Sequence, residues 1–332
     1  MPAESSGPAV AGNLLDSWSE GWANREAFGS ARAALAALLR SRSVHRAWLP
    51  AYVCPAVSEG VRAAGAQTCF YPVSQRLEAD LACVERGARA GDAVIGVAFF
   101  GGDGDSRFAD ARRRLDDVLW VADRAQALDA APPLWADAAI YSPRKLVGVA
   151  DGGLIYAQGA IGAPTLPAQA LWAPEEARAL DRSGAAPQTW YALFQAREAA
   201  VSAAPTQMGR RSLTALEAMP AKPIADARRR NWRRLAERLG AFALWPETDL
   251  DFTPLAFPIV VPDAAQAVRT LASEQIWAPR HWPLLPSPAD DFAEAHALSR
   301  RLVSLPCDQR YGEADMHRVA DAVLRLLTPQ AR

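Results

Sequence analysis

The sequence predicts an α/β protein with a three-layer α/β/α large domain, built on a mainly parallel sheet, and a small α+β domain at the C-terminal end. Short apolar runs alternate with helical stretches between residues 47 and 122. At 332 residues, of which 50% are hydrophobic, the chain is long enough for one large and one smaller domain. A basic helical stretch precedes a second set of apolar runs. We therefore expect a large domain over residues 1–240, which includes an N-terminal arm and this interdomain helix, and a small domain over residues 241–332.

The N-terminal segment leads into a capped helix. Residues up to about Ala27 are polar with scattered tryptophans, which predicts an arm packed on the surface or on a partner subunit. The stretch ARAALAALLR that follows consists of strong helix formers, with Ser30 as N-cap. Arg32 lies in the first turn, where a guanidinium and free backbone N–H groups can share an anion. An ordinary capped helix is the alternative, and this segment alone favours it.

Four apolar runs, AWLP, TCFYPV, AVIGVAFF and VLWVA, are predicted to be buried strands. The helical stretches between them, residues 57–64, 79–88 and 107–115, are typical of βαβ units and a parallel sheet. The fourth run leads to Asp123, and open α/β sheets bind ligands at the carboxyl ends of their strands. The Asp123 carboxylate is therefore a candidate site residue, although it could also cap the next helix.

The next two runs, AAIYS and GLIY, enclose a second set of reactive side chains. Ser142 and Lys145 follow the first run, and Asp151-Gly152-Gly153 turns the chain into the second. The whole chain contains only two lysines, Lys145 and Lys222. Arginine keeps its proton at working pH, whereas a desolvated lysine amine can lose its proton and attack a carbonyl carbon. Lys145 is therefore the candidate nucleophile.

The chain after Tyr156 is predicted to be helical at first and mixed later. The predicted helices cover residues 189–203, 228–239, 264–272 and 313–327, and the predicted strands are the runs LAFPIVV, QIWAPRHW and RRLVSLP. In the basic helix, Trp232, Leu235 and Leu239 lie along one side. Its arginines are expected to form a solvated face, because charges opposite an apolar stripe rarely mark a nucleic-acid site.

Charge and composition exclude several functions. A net charge of −1 argues against nucleic acid or an acidic membrane as the main partner. The longest apolar run, residues 93–100, is too short to span a bilayer. The start MPAESSGPAVAG lacks the basic start and apolar core of a signal peptide, so we expect a cytoplasmic protein. Four cysteines and four histidines are scattered without a CxxC pair, which predicts neither a disulfide framework nor a metal site.

These candidate residues suit one cofactor, pyridoxal phosphate (PLP). A lysine forms an imine with the aldehyde, and a strand-end aspartate keeps the pyridine nitrogen protonated. The start of the helix after Ser30, together with Ser142, can take the phosphate. The spacing S-x-x-K also occurs in serine β-lactamases and penicillin-binding proteins, but their SDN and KTG elements are missing from this sequence.

From about residue 28 to residue 327 the chain resembles the DegT-type aminotransferases, fold-type I PLP enzymes best known for aminating nucleotide-linked keto-sugars. SARAALAAL resembles the phosphate-binding helix, LPAYVCPAV the first crossover, and AFFGGDGD the strand and turn before the aspartate. ADRAQAL matches the segment of the pyridine-binding aspartate, and IYSPRKLVGVADGGLI matches the segment of the Schiff-base lysine. PIADARRRNWRRLAERL, FPIVV and LVSLPCDQRYGEADMHRVADAVL resemble the interdomain helix and the small domain.

The resemblance implies the fold-type I architecture and a role for each site residue. Lys145 and Asp123 are implied to be catalytic. The implied cofactor-binding residues are Arg32, Ala33, Asp123, Gln126, Ser142 and Lys145. The implied reaction is ping-pong transamination through a Lys145 Schiff base, from an amino-acid donor to a keto acceptor, with nucleotide-linked keto-sugars as the family's acceptors. The implied assembly is a homodimer in which the partner chain completes each site.

The sequence departs from the family pattern at three places. Cys54 stands where many members place an aromatic ring against the cofactor, with Tyr52 the nearest ring. Ile140 replaces a serine five residues before the lysine, which leaves Ser142 as the substitute. The asparagine that a neighbouring subunit often lends to the phosphate has no clear counterpart near Gln207. These departures keep open an alternative of another class, a divergent protein with the same fold that acts as a binding, sensor or scaffold module.

Overall fold

The computed structural model describes residues 12–102, 107–128, 133–169, 196, 198 and 200–327. The strands of the large sheet are β1 Asn24–Phe28, β2 Arg46–Pro50, β3 Gln67–Tyr71, β4 Ala93–Val97, β5 Leu119–Asp123, β6 Ala138–Tyr141 and β7 Gly153–Ala157. The helices between them are α1 Leu14–Ser19, α2 Ala31–Ser41, α3 Pro55–Ala63, α4 Ala82–Gly87 and α5 Arg107–Arg114. Further along the chain lie α6 Arg210–Glu217, α7 Ala221–Leu239, β8 Phe257–Val260, α8 Ala264–Ser273, α9 Ala293–Ser299, β9 Leu302–Leu305 and α10 Glu313–Leu327.

The seven strands lie in the order β1-β7-β6-β5-β4-β2-β3. β3, β2, β4, β5 and β6 are parallel, whereas β7 is antiparallel to both β6 and β1. The chain moves from β2 to β3 on one side and then returns to β4 on the other side. Such a reversal opens a crevice at the carboxyl ends of the strands, where α/β sheets bind ligands. The mainly parallel sheet predicted from the sequence is confirmed.

The start of α2 packs directly against the start of β7. Ser30 caps α2, as predicted, because its side chain accepts the N–H of Ala33. Gly153 lies so close to the backbone of Ser30 and Ala31 that a Cβ at this position would overlap it. Gly152 has φ +129°, a conformation that side chains rarely adopt. The two glycines are therefore packing requirements, and they bring the helix start next to the turn that follows β6.

The expectation of a polar N-terminal arm is wrong for residues 14–28. Leu14 and Trp18 of α1 are fully buried, and the Trp18 ring stacks on Tyr141 with 4.7 Å between centroids. Trp18 Nε1 also donates to the carbonyl oxygen of Leu128 at 2.9 Å. β1 extends the sheet beyond β7. The segment thus belongs to the large core, and its six-residue helix is too short to show a clear period in the sequence.

The C-terminal part contains a second core. β8 and β9 lie within two of the predicted strands and pair antiparallel, and Trp232, Leu235 and Leu239 of α7 pack in the same apolar cluster. The strand predicted over residues 275–282 is wrong, because this segment is irregular. Gln275 has φ +61°, and Pro279 has no N–H for a ladder. The domain boundary at residue 240 stays a prediction.

Two further expectations have different outcomes. The helix predicted over residues 189–203 lies mostly outside the described residues. The solvated face predicted for the basic helix is wrong at Arg228, which is only 2% exposed. Among the described residues, no helix is long and apolar enough to cross a membrane.

Candidate active site

A pocket lies at the carboxyl ends of β4, β5 and β6, opposite the starts of α2 and α3. It has a volume of about 540 Å³ when the space open to solvent is included. Its walls are formed by Ser30, Ala31, Arg32, Leu35, Cys54, Ala56, Val57, Ile95, Val121, Asp123, Ala125, Ile140, Ser142, Arg144 and Lys145. The structure thus brings together predicted site residues from three separate stretches of the sequence: Arg32, Asp123, and the pair Ser142 and Lys145.

Asp123 is the last residue of β5, and its carboxylate faces the pocket. Its Oδ1 accepts the N–H of Ala125 at 3.0 Å. Burial raises the pKa of Asp123, while the positive charge of Lys145 and the Ala125 N–H act in the opposite direction. A partly buried carboxylate of this kind gains from a cationic or N–H-bearing partner, because its charge has lost part of its contact with water.

Lys145 lies in the short 3₁₀ turn Pro143–Lys145 that follows β6. The backbone N–H of Lys145 donates to Ser142 O at 3.1 Å, and the N–H of Leu146 donates to Pro143 O at 2.9 Å. Within the part of the chain that the structure describes, Lys145 Nζ makes no hydrogen bond or ion pair. Its backbone is therefore fixed while its amine remains available in the pocket wall.

The opposite end of the pocket collects groups that bind anions. The first turn of α2 presents Ala31 and Arg32 to the pocket, at a helix end whose first N–H groups have no partner within the helix. Ser142 lines the pocket from the β6 side. The Arg32 side chain is already engaged, since it forms an ion pair with Glu59 and donates to Val201 O at 3.0 Å. A second guanidinium, that of Arg144, forms an ion pair with Glu198.

Two predicted cofactor residues, Gln126 and Ala33, do not line the pocket. Gln126 Oε1 accepts the N–H of Phe100 at 2.7 Å. Its Nε2 is buried and has no hydrogen-bond partner among the described residues, so it is an unused donor behind the wall. Ala33 is buried in the core, and its N–H donates to Ser30 Oγ at 3.2 Å.

His281 is a candidate site residue that the sequence analysis missed. Burial, assisted by the positive charge of Lys145, lowers its pKa to about 3, so the ring is neutral near neutral pH. Its Nδ1 lies 2.7 Å from Ser304 Oγ, and its ring meets the Phe100 ring edge-on. The hydroxyl of Tyr52 donates to the carbonyl oxygen of His281. No local pattern marks this histidine, because it lies in the irregular segment that was predicted to be a strand.

The departures from the family pattern can also be placed. Cys54 lines the pocket at the start of α3, whereas the Tyr52 ring packs between Phe99 and Trp282. Ile140 lines the pocket as well. Among the described residues, no group of three or more His, Cys, Asp or Glu side chains is arranged to hold a metal ion.

Comparison with solved structures gives consistent results. A putative sugar aminotransferase from Streptococcus pneumoniae, in its PLP form, superposes with a TM-score of 0.69 at 16% identity, covering 98% of this chain and 94% of that one. A DegT DnrJ EryC1 StrS aminotransferase from Brucella abortus superposes with a TM-score of 0.65 at 17% identity, covering 96% of this chain and 92% of that one. DesV from S. venezuelae superposes with a TM-score of 0.68 at 18% identity, covering 96% of this chain and 90% of that one.

The chain has the fold of these aminotransferases. The fold class and the DegT-type resemblance expected from the sequence are thereby confirmed at the level of the fold. The sequence itself matches no family model and no curated protein. Function must therefore be argued from the pocket, because one fold can carry different activities.

Proposed function

We propose that this protein is a PLP-dependent aminotransferase that transfers an amino group from an amino-acid donor to a keto acceptor. One observation carries the proposal: Asp123, at the end of β5, and Lys145, in the turn after the adjacent parallel strand β6, line the same pocket, and the Lys145 amine makes no hydrogen bond or ion pair with the described residues. The solved neighbours support the same conclusion, since they are sugar aminotransferases and include PLP and PMP forms.

The residues present fit this cofactor. Bound PLP supplies an aldehyde that reacts with amines and a ring that accepts electrons. Lys145 Nζ is the amine for the aldehyde, and Asp123 is the carboxylate for the ring nitrogen. The start of α2 and Ser142 offer donors for the phosphate.

Each residue has a task that follows from its surroundings. Asp123 would hold a proton on the ring nitrogen of bound PLP, and the interaction would be strengthened because the carboxylate is partly removed from water. Lys145 Nζ would serve as the general base that takes a proton from the substrate carbon and then as the general acid that gives it back. The apolar side chains of Val121 and Ile140 keep water out of the inner end of the pocket.

The finer parts of the proposal concern substrates and assembly. We propose a nucleotide-linked keto-sugar as the acceptor, because the neighbours are named sugar aminotransferases. We also propose a cytoplasmic homodimer. The homodimer is what the resemblance to the DegT-type aminotransferases implies. Mass measurement of the intact assembly tests the dimer.

The experiment for the proposed function is an absorbance titration. Protein mixed with PLP should develop a visible band that borohydride removes, and the band should bleach on addition of a working amino donor. Bleaching that a keto-sugar nucleotide reverses identifies the acceptor class. Stable binding of PLP without bleaching by any of the common amino acids would favour the binding, sensor or scaffold alternative instead.

A further inference from the structure

A buried polar network lies behind the turn that carries Lys145. Its centre is Arg228 of α7, whose guanidinium donates four hydrogen bonds. The acceptors are Leu146 O at 2.8 Å, Pro254 O at 3.0 Å, Leu255 O at 2.9 Å and Gln309 Oε1 at 2.8 Å. No carboxylate among the described residues pairs with this arginine. The acceptors of the guanidinium hydrogen bonds are thus all carbonyl oxygens, while the Asp308 carboxylate stabilises the charge from a longer distance.

Leu146 is the residue directly after Lys145, and its carbonyl oxygen receives a second donor. Gln309 Nε2 donates to it at 3.0 Å. The loop that carries Gln309 is fixed by Asn231, which lies one turn after Arg228 on α7 and bonds to the backbone on both sides of Gln309. Asn231 Nδ2 donates to Cys307 O at 3.3 Å and to Asp308 O and Tyr311 O at 3.0 Å each. We call Arg228, Asn231 and Gln309 the Arg228 network.

The network also reaches the other side of the pocket. The N–H of Leu255 donates to Phe100 O at 2.7 Å, and the N–H of Phe100 donates to Gln126 Oε1 at 2.7 Å. A continuous series of hydrogen bonds therefore runs from Gln126 through Phe100, Leu255 and Arg228 to Leu146. Gly101, beside Phe100, approaches the backbone of Thr253 too closely for a Cβ, so this connection has little freedom to shift.

A buried guanidinium of this kind is a costly way to stabilise a fold. Removing a cation from water costs several kcal/mol, and well-packed apolar side chains often stabilise a core as well or better. Burial lowers the pKa of Arg228, which reflects the same cost. What the guanidinium offers instead is a rigid, planar set of donors that fixes the relative positions of its acceptors.

We propose that Arg228 and Gln309 are positioning residues for Lys145. They hold the carbonyl oxygen of Leu146 and thereby give the Lys145 turn a single geometry, tied through Leu255 and Phe100 to Gln126. The proposal rests on the proposed function of Lys145, and it adds a link from α7 and the loop after β9 to the reactive amine. Neither residue lines the pocket, so their effect on the reaction is transmitted through the backbone.

The decisive variant is Gln309→Glu. A glutamate of the same shape can still accept from Arg228 Nε, but it offers no N–H to Leu146 O and places a carboxylate oxygen against it. Arg228→Lys is a second variant, which keeps the charge and loses the planar donors. The matched control is Arg233→Lys on the same helix, where the parent side chain is 53% exposed and pairs with Asp249.

The first readout needs no cofactor. Because the chain has only two lysines, the apo parent and apo Gln309→Glu labelled with ¹³Cε-lysine each give one signal for Lys145 and one for Lys222, whereas Arg228→Lys and Arg233→Lys each add a third signal from the substituted position. We expect Gln309→Glu to shift or broaden the Lys145 signal and to leave Lys222 unchanged. The second readout is single-turnover amino transfer in the PLP-loaded protein. We expect its rate to fall about 10- to 100-fold while the cofactor dissociation constant changes little, because a misplaced reacting group costs about this much.

The proposal is overturned if folded Gln309→Glu keeps both the Lys145 signal and the single-turnover rate of the parent. It is also overturned if Lys145 and Lys222 change together, since that shows a general change of the fold. Should Arg228→Lys fail to fold, Gln309→Glu decides alone. A parent protein that forms no covalent link with PLP contradicts the proposed function, whereas the lysine signals of the apo protein still decide whether the Arg228 network positions Lys145.

Discussion

Lys145 and Lys222 carry the same side chain in opposite surroundings. Lys222, in the first turn of α7, is 71% exposed, and its amine pairs with Asp226 at 2.8 Å. Lys145 has the reverse arrangement: its amine is uncommitted among the described residues, while the backbone after it is held by Arg228 and Gln309. Under the proposed function, this difference separates a reactive amine from an ordinary surface charge. Buried hydrogen bonds fix the backbone next to Lys145, while its amine makes no hydrogen bond or ion pair among the described residues and can meet a ligand.

Exchanging each lysine for arginine should give the largest difference between the two positions. Lys145→Arg keeps the charge but loses the amine that can be deprotonated, so covalent attachment of PLP should be abolished. Lys222→Arg keeps the only feature that Lys222 uses, its charge, and should behave like the parent. Borohydride reduction followed by peptide mass spectrometry measures the outcome. A pyridoxyl adduct on Lys222 in the parent protein would contradict the assignment of Lys145 as the residue that attaches PLP.

The second difference between the two lysines is the carboxylate that each one meets. Asp226 is a surface partner, whereas Asp123 is partly buried, lines the pocket and lies within the electrostatic influence of Lys145. Asp123→Asn should leave covalent attachment in place, because Lys145 is untouched. The neutral amide cannot hold a proton on the ring nitrogen. The transition state of the half-reaction should therefore lose several kcal/mol of stabilisation, and each 1.4 kcal/mol lowers the rate about tenfold. Stopped-flow rates with an amino donor test this, and a variant as fast as the parent assigns the role to another group.

The sequence predicted the large sheet well for a physical reason. β4, β6 and β7 are buried along their whole length, and β5 is buried in its middle three residues, so each one appears as a continuous apolar run bounded by turn residues. The reactive side chains lie where these runs end, which made Asp123 and Lys145 visible. β1 carries the charged residues Arg25 and Glu26 at the edge of the sheet and shows no such run. A short edge strand of this type cannot be recognised by its own pattern.

The supporting residues of the site were beyond the reach of pattern analysis. An arginine on a helix is assigned to solvent by periodicity, yet Arg228 is buried because it meets a carbonyl group 82 residues away in the chain. His281 lies in a segment whose apolar residues pack without a strand ladder. Both positions are determined by tertiary contacts. The same holds for Glu59, whose pairing with Arg32 no spacing in the sequence reveals.

Lys145, unlike Lys222, has a histidine in its surroundings, His281, whose protonation makes the unfolding free energy depend on pH. Its folded-state pKa of about 3 lies below its ordinary value of 6.5, so the unfolded chain binds more protons between these limits. The contribution of His281 to stability is therefore complete above about pH 6.5 and is lost as the pH falls towards 3. Between pH 7 and pH 5 the parent should lose about 2 kcal/mol of unfolding free energy that His281→Gln does not lose. Urea unfolding at both pH values measures it.

The raised pKa of Asp123 increases the unfolding free energy as the pH falls, which opposes the effect of His281. Asp123 is present in both the parent and His281→Gln, so its effect cancels when the two proteins are compared. Equal losses in the parent and in His281→Gln would show that the histidine is not held neutral in the folded protein. Lys222 offers the contrast, since substitution of this exposed residue should leave the pH dependence of unfolding unchanged.

The smallest expected effect concerns Arg32, which resembles Lys222 in already having a carboxylate partner. The sequence predicts that Arg32→Ala weakens cofactor binding more than Ser142→Ala, because a charge-assisted contact to the phosphate is worth roughly 1.5–3 kcal/mol against about 0.5–1.5 for a neutral one. The ion pair with Glu59 lowers this expectation, since the carboxylate offsets part of the guanidinium charge. We therefore expect about 1 kcal/mol for Arg32→Ala, near the scale of a neutral hydrogen bond.

Glu59→Gln separates the two roles that Arg32 can have. If the guanidinium contacts the phosphate, removing the competing carboxylate should tighten cofactor binding, and the gain should vanish in the double variant Glu59→Gln/Arg32→Ala. If Arg32 serves only to join α2 to α3, both single variants should change stability slightly and leave the cofactor dissociation constant unchanged. Dissociation constants for the single and double variants, with unfolding measured separately, distinguish the cases. An Arg32→Ala protein that binds PLP as tightly as the parent would remove Arg32 from the phosphate site and leave the backbone of α2 and Ser142 to hold it.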